Sequence, residues 1–370
     1  LELWYEPTVT AMNRLPASLS NFRSDVLQHT HLGQICGSRQ LFRDRYEIHK
    51  LLGRGGFGVT FLARDRKLPG QPWCVIKQLC PKVQDPASLH KARQRFEQEA
   101  KTLSKLGCHS QIPQLLDYFE VNGEFYLVQE YIRGNTLTKE VRRSGSFSEA
   151  EVKAFLLEFL PILQYVHKNR VIHRDIKPPN LLRCEDDGRL VLIDFGAVKE
   201  RIIGVEQSSF RASTQFVGTV GFAPPEQLSM RPLFASDVYA LGMTCLYLLT
   251  GKAPLEFEYE FTTGEVKWRE LVQVSNHFAK ILDKMMKVSP RDRYQSAQEV
   301  LRAIELEPYL DHLSPCMTSQ PRSSSLPSTN NSQGYIPPLI RTAIAIREWQ
   351  ERLQARRELQ AALEQLSSEG

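Results

Sequence analysis

The hydrophobic pattern of this chain changes period partway along, and that change limits the folds open to it. From Tyr46 apolar residues alternate with polar ones through Ile48, then through Val59, Phe61 and Ala63, and again over 73–79, with Gly- or Pro-bearing turns between. A period of two puts alternate side chains on opposite faces, so three short strands are predicted. Residues 87–106 instead carry Leu89, Ala92, Phe96, Ala100 and Leu103 at helical spacing with charge between them, which predicts an amphipathic helix. A further strand is predicted over 124–131. Beyond it, Ser148 followed three residues later by Glu151 is a capping box, opening a helix that runs through Phe155, Phe159 and Ile162 to His167. Strands first and helices second make an α+β fold, with a smaller β-rich part preceding a larger helical one.

The 370 residues suffice for a sizeable core, and 42% hydrophobic with 24% charged residues is a globular composition. The longest apolar stretch, 238–250, is too short to span a bilayer and contains Thr244 and Cys245, so it reads as a buried core helix and no transmembrane segment is expected. Neither end resembles an export signal, and the expected location is the cytoplasm. The net charge of +5 arises from 47 basic and 42 acidic residues spread along the chain without Lys/Arg blocks, so nucleic acid is not an expected partner. Seven cysteines, at 36, 74, 80, 108, 184, 245 and 316, form no CxxC pair and fit reduced thiols.

Composition divides the chain into four segments: 1–40, without sustained periodicity; 41–309, the patterned domain; 310–336, a linker rich in Ser and Pro that buries too little apolar surface to order itself; and 337–370. The last regains helical spacing over 339–366 through Ala343, Ile346, Trp349 and Leu353, then Leu359, Leu363 and Leu366. The register breaks between Leu353 and Leu359, so a single continuous coiled coil is not predicted. This amphipathic helix is expected either to bind a partner or a second copy, or to fold back on the domain.

Several short motifs bear on chemistry. Gly53-Arg54-Gly55-Gly56-Phe57-Gly58 joins the first two predicted strands, where glycines let backbone N–H groups lie against phosphates. A dinucleotide fingerprint needs a helix straight after the glycines, whereas 59–63 alternates as a strand, which favours a hairpin flap over a nucleotide. Lys77 ends the apolar run Cys74-Val75-Ile76, a setting in which an amine needs anions around it. Glu97 and Glu99 of the predicted helix are the available partners; Glu99 adjoins Ala100 in the apolar register and is expected to face inward. His173-Arg174-Asp175-Ile176-Lys177-Pro178-Pro179-Asn180 supplies a carboxylate for an attacking hydroxyl, a cation beside moving charge and an oxygen ligand for a metal, in Asp175, Lys177 and Asn180 respectively. Asp194-Phe195-Gly196 then closes an apolar strand with a carboxylate that can serve as a second metal ligand.

Together, in this order and spacing, these motifs resemble the protein-kinase signature set over roughly residues 46–306. The resemblance implies a bilobal kinase fold and transfer of the γ-phosphoryl group of ATP, with Mg²⁺ or Mn²⁺, to protein hydroxyls. Asp175 would be the catalytic carboxylate, Lys77 paired with Glu99 would hold phosphates, and Asn180 and Asp194 would bind metal. Leu52, Thr60, Val75, Ile132 and Leu182 would line the adenine pocket, with the backbone of Glu130 and Ile132 at the adenine edge and Gln129 as gatekeeper. Residues 218–226 resemble the family's substrate-binding loop and closing Ala-Pro-Glu, with Pro224 in place of Ala; Glu226 would pair with Arg293, and Asp237 would brace the catalytic loop. Lys177 and Thr219 match the Ser/Thr class. Arg174 implies control by phosphorylation of the activation segment, with Ser208, Ser209, Ser213 and Thr214 as candidates. Thr60 and Val75 depart from the usual Val and Ala, which alters the adenine pocket without removing a catalytic group. Two rival readings are a nucleotide-binding scaffold without transfer, opposed by the filled catalytic positions, and a small-molecule phosphotransferase, opposed by the 218–226 segment.

A narrower resemblance, in 55–63, 74–77 and 127–132, is to cyanobacterial members of the bacterial Ser/Thr kinases, some of which carry two cysteine pairs just before the domain. Only Cys36-Gly37 ahead of Arg43-Asp44-Arg45-Tyr46 remains here; Gly33 stands at the partner cysteine position, and His29 and His31 lack the spacing of a metal site. The chain begins at Leu1, which reads as a misassigned start or a truncated product.

Overall fold

Two left-handed residues, Asn122 (φ 53°) and Gly123 (φ 81°), turn the chain between β5 (Leu115–Val121) and β6 (Glu124–Glu130), the tightest hairpin of an antiparallel sheet. The computed structural model describes residues 30–54, 58–80, 86–200 and 218–309. Before this hairpin come α1 (His31–Ile35), β1 (Leu41–Phe42), β2 (Tyr46–Arg54), β3 (Gly58–Asp65), β4 (Trp73–Leu79) and α2 (Pro86–Leu106). The sheet order is β1-β2-β3-β4-β6-β5, every neighbouring pair antiparallel. The strands predicted over 46–79 and 124–131 and the helix over 87–106 are all present.

Strand alternation gives this sheet two different faces. Ile48, Val59, Phe61, Ala63, Cys74, Ile76, Tyr126 and Val128 share one apolar cluster, whereas Leu79 and Leu127 pack with Ala92, Phe96, Ala100 and Leu103 of α2. The first face would be open to water but for residues 30–42. The sequence pattern assigns no structure to 1–40, yet Thr30 caps α1 by accepting from Gly33 N at 3.0 Å, and Leu32 and Ile35 join Phe42 in that cluster. A five-residue helix is too short to display a period, so its signal is the cap and two apolar residues alone. Residues 1–29 and 310–370, including the linker and the amphipathic segment 339–366, lie outside the described residues.

The second half is helical. After β7 (Gly134–Thr136) come α3 (Leu137–Ser144), α4 (Glu149–Lys168), β8 (Val171–Ile172), β9 (Leu181–Cys184), β10 (Leu190–Leu192) and β11 (Lys199–Glu200); then α5 (Pro225–Leu228), α6 (Phe234–Thr250), β12 (Glu258–Tyr259), β13 (Val266–Lys267), α7 (Asn276–Met285) and α8 (Ala297–Glu305). The Ser148 capping box opens α4 as expected: Glu151 N donates to Ser148 Oγ at 3.3 Å and Ser148 N to Glu151 Oε2 at 2.7 Å. Helix α6 contains the 238–250 stretch and is buried nearly all round, ending at Gly251 in the left-handed conformation (φ 70°) that releases a helix. Among the described residues no helix is long and apolar enough to cross a membrane. A small β-rich lobe followed by a larger helical lobe is the bilobal α+β arrangement.

Because Leu32 is fully buried between α1 and the sheet, Leu32→Ala is expected to cost about 3 kcal/mol of unfolding free energy in a denaturant titration; an unchanged midpoint would place α1 outside the core.

Candidate active site

Strand β4 puts Lys77 on the face opposite Cys74 and Ile76, toward α2. Its Nζ lies 2.8 and 3.0 Å from the two carboxylate oxygens of Glu99 and 3.2 Å from Oδ1 of Asp194. Glu99 is buried, whereas Glu97 is exposed and pairs with Lys101 at 2.6 Å, so the choice of Glu99 from the apolar register agrees with the geometry. Burial works against the Lys77 charge, but Asp194 and Glu99 outweigh it and raise its pKa, so the amine stays protonated. For Asp194 burial also opposes the charge; Lys77, the Gly196 N–H and Lys177 prevail and hold its pKa down at about 2. Glu99 is pushed upward by burial and by the Asp194 charge, against the pull of Lys77. The Asp194 side chain is 45% exposed, which leaves it open to a further ligand. A Cβ on Gly196 would sit 3.2 Å from both Asp194 Oδ1 and Glu99 Oε2 and 3.3 Å from Lys77 Nζ, so a side chain there would crowd the cluster and shift its members by a few tenths of an ångström.

The second cluster is held from α6. Asp237, fully buried, accepts from the successive amides of His173 and Arg174, each at 2.8 Å, and lies 2.9 Å from His167 Nε2. Arg174 is thereby fixed at φ 67°, uncommon for a residue with a side chain. The His173 ring meets Phe195 edge-on at 5.0 Å and its Nδ1 accepts from Asp175 N at 3.3 Å; burial lowers its pKa, which keeps it neutral. Asn180 Nδ2 donates to the carbonyl (2.8 Å) and to Oδ2 (3.0 Å) of Asp175. Lys177 Nζ stands 3.0 Å from the same Oδ2 and donates to Thr219 Oγ1 at 2.7 Å, while Thr219 donates to Asp175 Oδ1 at 2.7 Å. Asp175 is therefore oriented through both oxygens.

Arg174 itself turns away from carboxylates and donates to the carbonyls of Ala197 and Val198. Burial, with the nearby Arg95 cation, lowers its pKa to about 10, so it remains charged in a setting that favours an added anion. Ser208, Ser209, Ser213 and Thr214 lie outside the described residues, as do Gly55, Gly56 and Phe57 of the glycine-rich turn.

Of the residues assigned to an adenine pocket, Val75, Ile132 and Leu182 are buried, the last two in a small cluster with Cys184 and Val191; Leu52 and Thr60 are half-buried. Gly53 pairs with Thr60, and Thr60 in turn with Lys77, across β2, β3 and β4. A Cβ on Gly58 would lie 2.6 Å from the Gln78 carbonyl, which makes that glycine a packing requirement as well. The Glu130 N–H already donates to the Gln114 carbonyl at 2.9 Å, so this is not the Glu130 group that would meet a purine. Glu226 and Arg293 form the expected pair at 2.6 and 2.9 Å, joined by Ser236 Oγ at 2.7 Å. Sequence reasoning missed Gln227, whose Nε2 donates to the Arg174 carbonyl at 2.6 Å, and His167 on Asp237; neither follows a pattern that periodicity reveals.

The family described as protein kinase domain matches residues 46–304. Among known proteins, the chain is 53% identical over 292 residues to a protein named serine/threonine-protein kinase B of Synechocystis sp., covering 78% of this chain and 51% of that one. It is 45% identical over 270 residues to serine/threonine-protein kinase PknA of Nostoc sp., with 72% and 48% covered. More distantly, calcium/calmodulin-dependent protein kinase type 1 of Caenorhabditis elegans is 32% identical over 215 residues, 57% and 58% of the two chains. The chain spans about half the length of the two cyanobacterial relatives.

The Arg293 side chain is fully buried against Glu226, so Arg293→Met strands a carboxylate and is expected to cost about 3–5 kcal/mol in denaturant unfolding. Although burial opposes its charge, the Arg293 pairing lowers the Glu226 pKa below its ordinary 4.5. The pair's contribution is therefore complete above that value and is lost as pH falls through the folded pKa; stability of the parent chain should drop more steeply below pH 4.5 than that of the variant.

Proposed function

The chain belongs to the protein kinase family, and from that premise we propose that it is a serine/threonine protein kinase transferring the γ-phosphoryl group of Mg-ATP to Ser and Thr hydroxyls of proteins, itself included, in signal transduction. The observation that carries this reading is Asp175: one carboxylate oxygen accepts a hydroxyl donor, that of Thr219, at 2.7 Å, and Lys177 Nζ stands 3.0 Å from the other. A carboxylate held at that distance can orient an attacking hydroxyl and take its proton.

In this reading Lys77, kept charged by Glu99 and Asp194, holds the phosphates, and the glycine-rich 53–58 sequence would offer them backbone N–H groups. Lys177 offsets negative charge as it moves toward the acceptor oxygen. The donor set fits a hard divalent cation: Asp194 is an exposed, ionised carboxylate, and Asn180, its nitrogen spent on Asp175, retains an amide oxygen. Mg²⁺, or Mn²⁺ in its place, would be held by these two residues and would supply neutralisation of phosphate charge. Leu52, Thr60, Val75, Ile132 and Leu182 would take the adenine. Free thiols at Cys36, Cys74, Cys80, Cys108, Cys184 and Cys245 support a cytoplasmic setting. On sequence alone, the domain is taken as 41–309, with 310–336 as linker and 337–370 as a helix binding a partner or a second copy.

Incubation with γ-labelled ATP and a generic basic protein tests the activity. Asp175→Asn is expected to reduce transfer by roughly 100-fold or more without weakening ATP binding; transfer unaffected by the change would remove Asp175 from its role. Sedimentation of the chain with and without 337–370 is expected to show a smaller assembly for the shorter form; equal masses per chain would exclude self-association through that segment.

A further inference from the structure

Phe261 is 100% exposed, which sets it apart from the partly covered Leu and Val residues ordinary on a protein surface. It stands at the tip of the β12–β13 hairpin, and that tip is closed by backbone bonds: Glu260 N donates to the Glu265 carbonyl at 2.7 Å and Gly264 N to the Glu260 carbonyl at 2.8 Å. Both legs of the hairpin are anchored. Phe257 and Trp268 are buried in the main core, and Trp268 Nε1 donates to Asp283 of α7 at 2.9 Å. A ring displayed on backbone fixed at both ends loses little freedom when another chain covers it. Tyr259, 41% exposed, continues the apolar surface back to the hairpin's base, where its hydroxyl donates to the Pro254 carbonyl at 3.0 Å. The charge around these rings is mostly of one sign. Four glutamates, at 256, 258, 260 and 265, stand against Lys267 within 254–267. Lys267 pairs with Glu260 at 3.0 Å and Lys287 with Glu265 at 2.7 Å, which leaves exposed Glu256 and Glu258 as the excess. The base of the hairpin adjoins the catalytic centre: a Cβ on Gly221 would lie 2.8 Å from Pro254 Cβ, and Thr219, two residues before Gly221, donates to Asp175.

We propose that the β12–β13 hairpin is a docking surface for protein substrates, taking on Phe261, Tyr259, Glu256 and Glu258 a segment in which Lys or Arg alternates with large apolar residues, several residues away from the acceptor Ser or Thr. The proposal rests on the kinase reading and names its substrate class. A chain whose hydroxyl reaches Asp175 passes Gly221 and Pro254, and at about 3.3–3.6 Å per residue a few further residues carry it along the hairpin to Phe261. There its apolar side chains cover the two rings and its cations meet Glu256 and Glu258, whereas an acidic segment meets like charge. The contact is the same before and during transfer, so it lowers KM and leaves kcat unchanged.

The test uses the full chain and Ser/Thr peptides randomised about the acceptor, each joined through a Gly-Ser spacer, on its amino or its carboxyl side, to an extension of alternating Arg and Leu, alternating Glu and Leu, or Gly and Ser. On one of the two sides the Arg-Leu extension should lower the apparent KM roughly tenfold against Gly-Ser, with kcat within about twofold, and Glu-Leu should give no gain. Phe261→Ser should remove most of the gain, and Glu256→Lys combined with Glu258→Lys should transfer it to the Glu-Leu extension. The substituted side chains are exposed, and each gain is a ratio within one protein sample, so partial unfolding of a variant leaves it unchanged. Equal KM values for Arg-Leu and Gly-Ser on both sides, or a gain that both variants leave intact, overturns the proposal, while transfer to the Gly-Ser peptides keeps the kinase reading standing. Absence of transfer to every peptide and to a generic basic protein defeats the kinase reading and the proposal with it.

Discussion

The two side-chain oxygens of Asp237 hold successive amides, those of His173 and Arg174, at 2.8 Å from within the helical core. Hydrogen bonds to a charged group contribute about 1.5–3 kcal/mol each, enough to keep Arg174 in a left-handed conformation that few residues adopt unaided. From that fixed turn the rest of the loop is determined. The His173 ring meets Phe195, Asp175 presents its carboxylate to Thr219 and Lys177, and the Arg174 guanidinium reaches the carbonyls of Ala197 and Val198. The anchor is effective because α6 is buried nearly all round, so the carboxylate exchanges no bonds with water.

On the sheet side a different constraint operates. Lys77, Glu99 and Asp194 bring one cation against two carboxylates, joining β4, α2 and the segment after β10 through a single amine. Polyphosphate adds further negative charge to an arrangement already short of cations, which is the electrostatic reason that nucleotide and a divalent ion would enter together. Since Glu99 comes from α2, any displacement of that helix removes one of the partners holding Lys77, and the amine would then follow Asp194 alone.

Much of this was legible from sequence where chemistry fixes spacing. The period-two runs located β2, β3 and β4, and the apolar register of α2 separated Glu99 from Glu97, which points to solvent and pairs with Lys101. The pattern failed where a segment is short or half-buried. Strand β5 alternates poorly between partly buried and exposed positions, and its clearest signal was the Asn122-Gly123 turn that follows it. Helix α1 has five residues and no period, so its packing on the outer sheet face appears only in three dimensions. Gln227 reaches the Arg174 carbonyl from α5, and His167 at the end of α4 meets Asp237 of α6, seventy residues along; no local pattern announces contacts of that kind.

If Asp237 serves transfer by positioning Asp175, the two residues act as one unit, and a double-mutant cycle on the single-turnover transfer rate, with folding checked for each protein, measures this directly. The account predicts that Asp237→Asn alone lowers the rate by roughly tenfold or more, yet lowers it by no more than about twofold when Asp175 is already Asn. Losses that multiply independently in the double variant, or an Asp237→Asn protein with the parent rate, would contradict it.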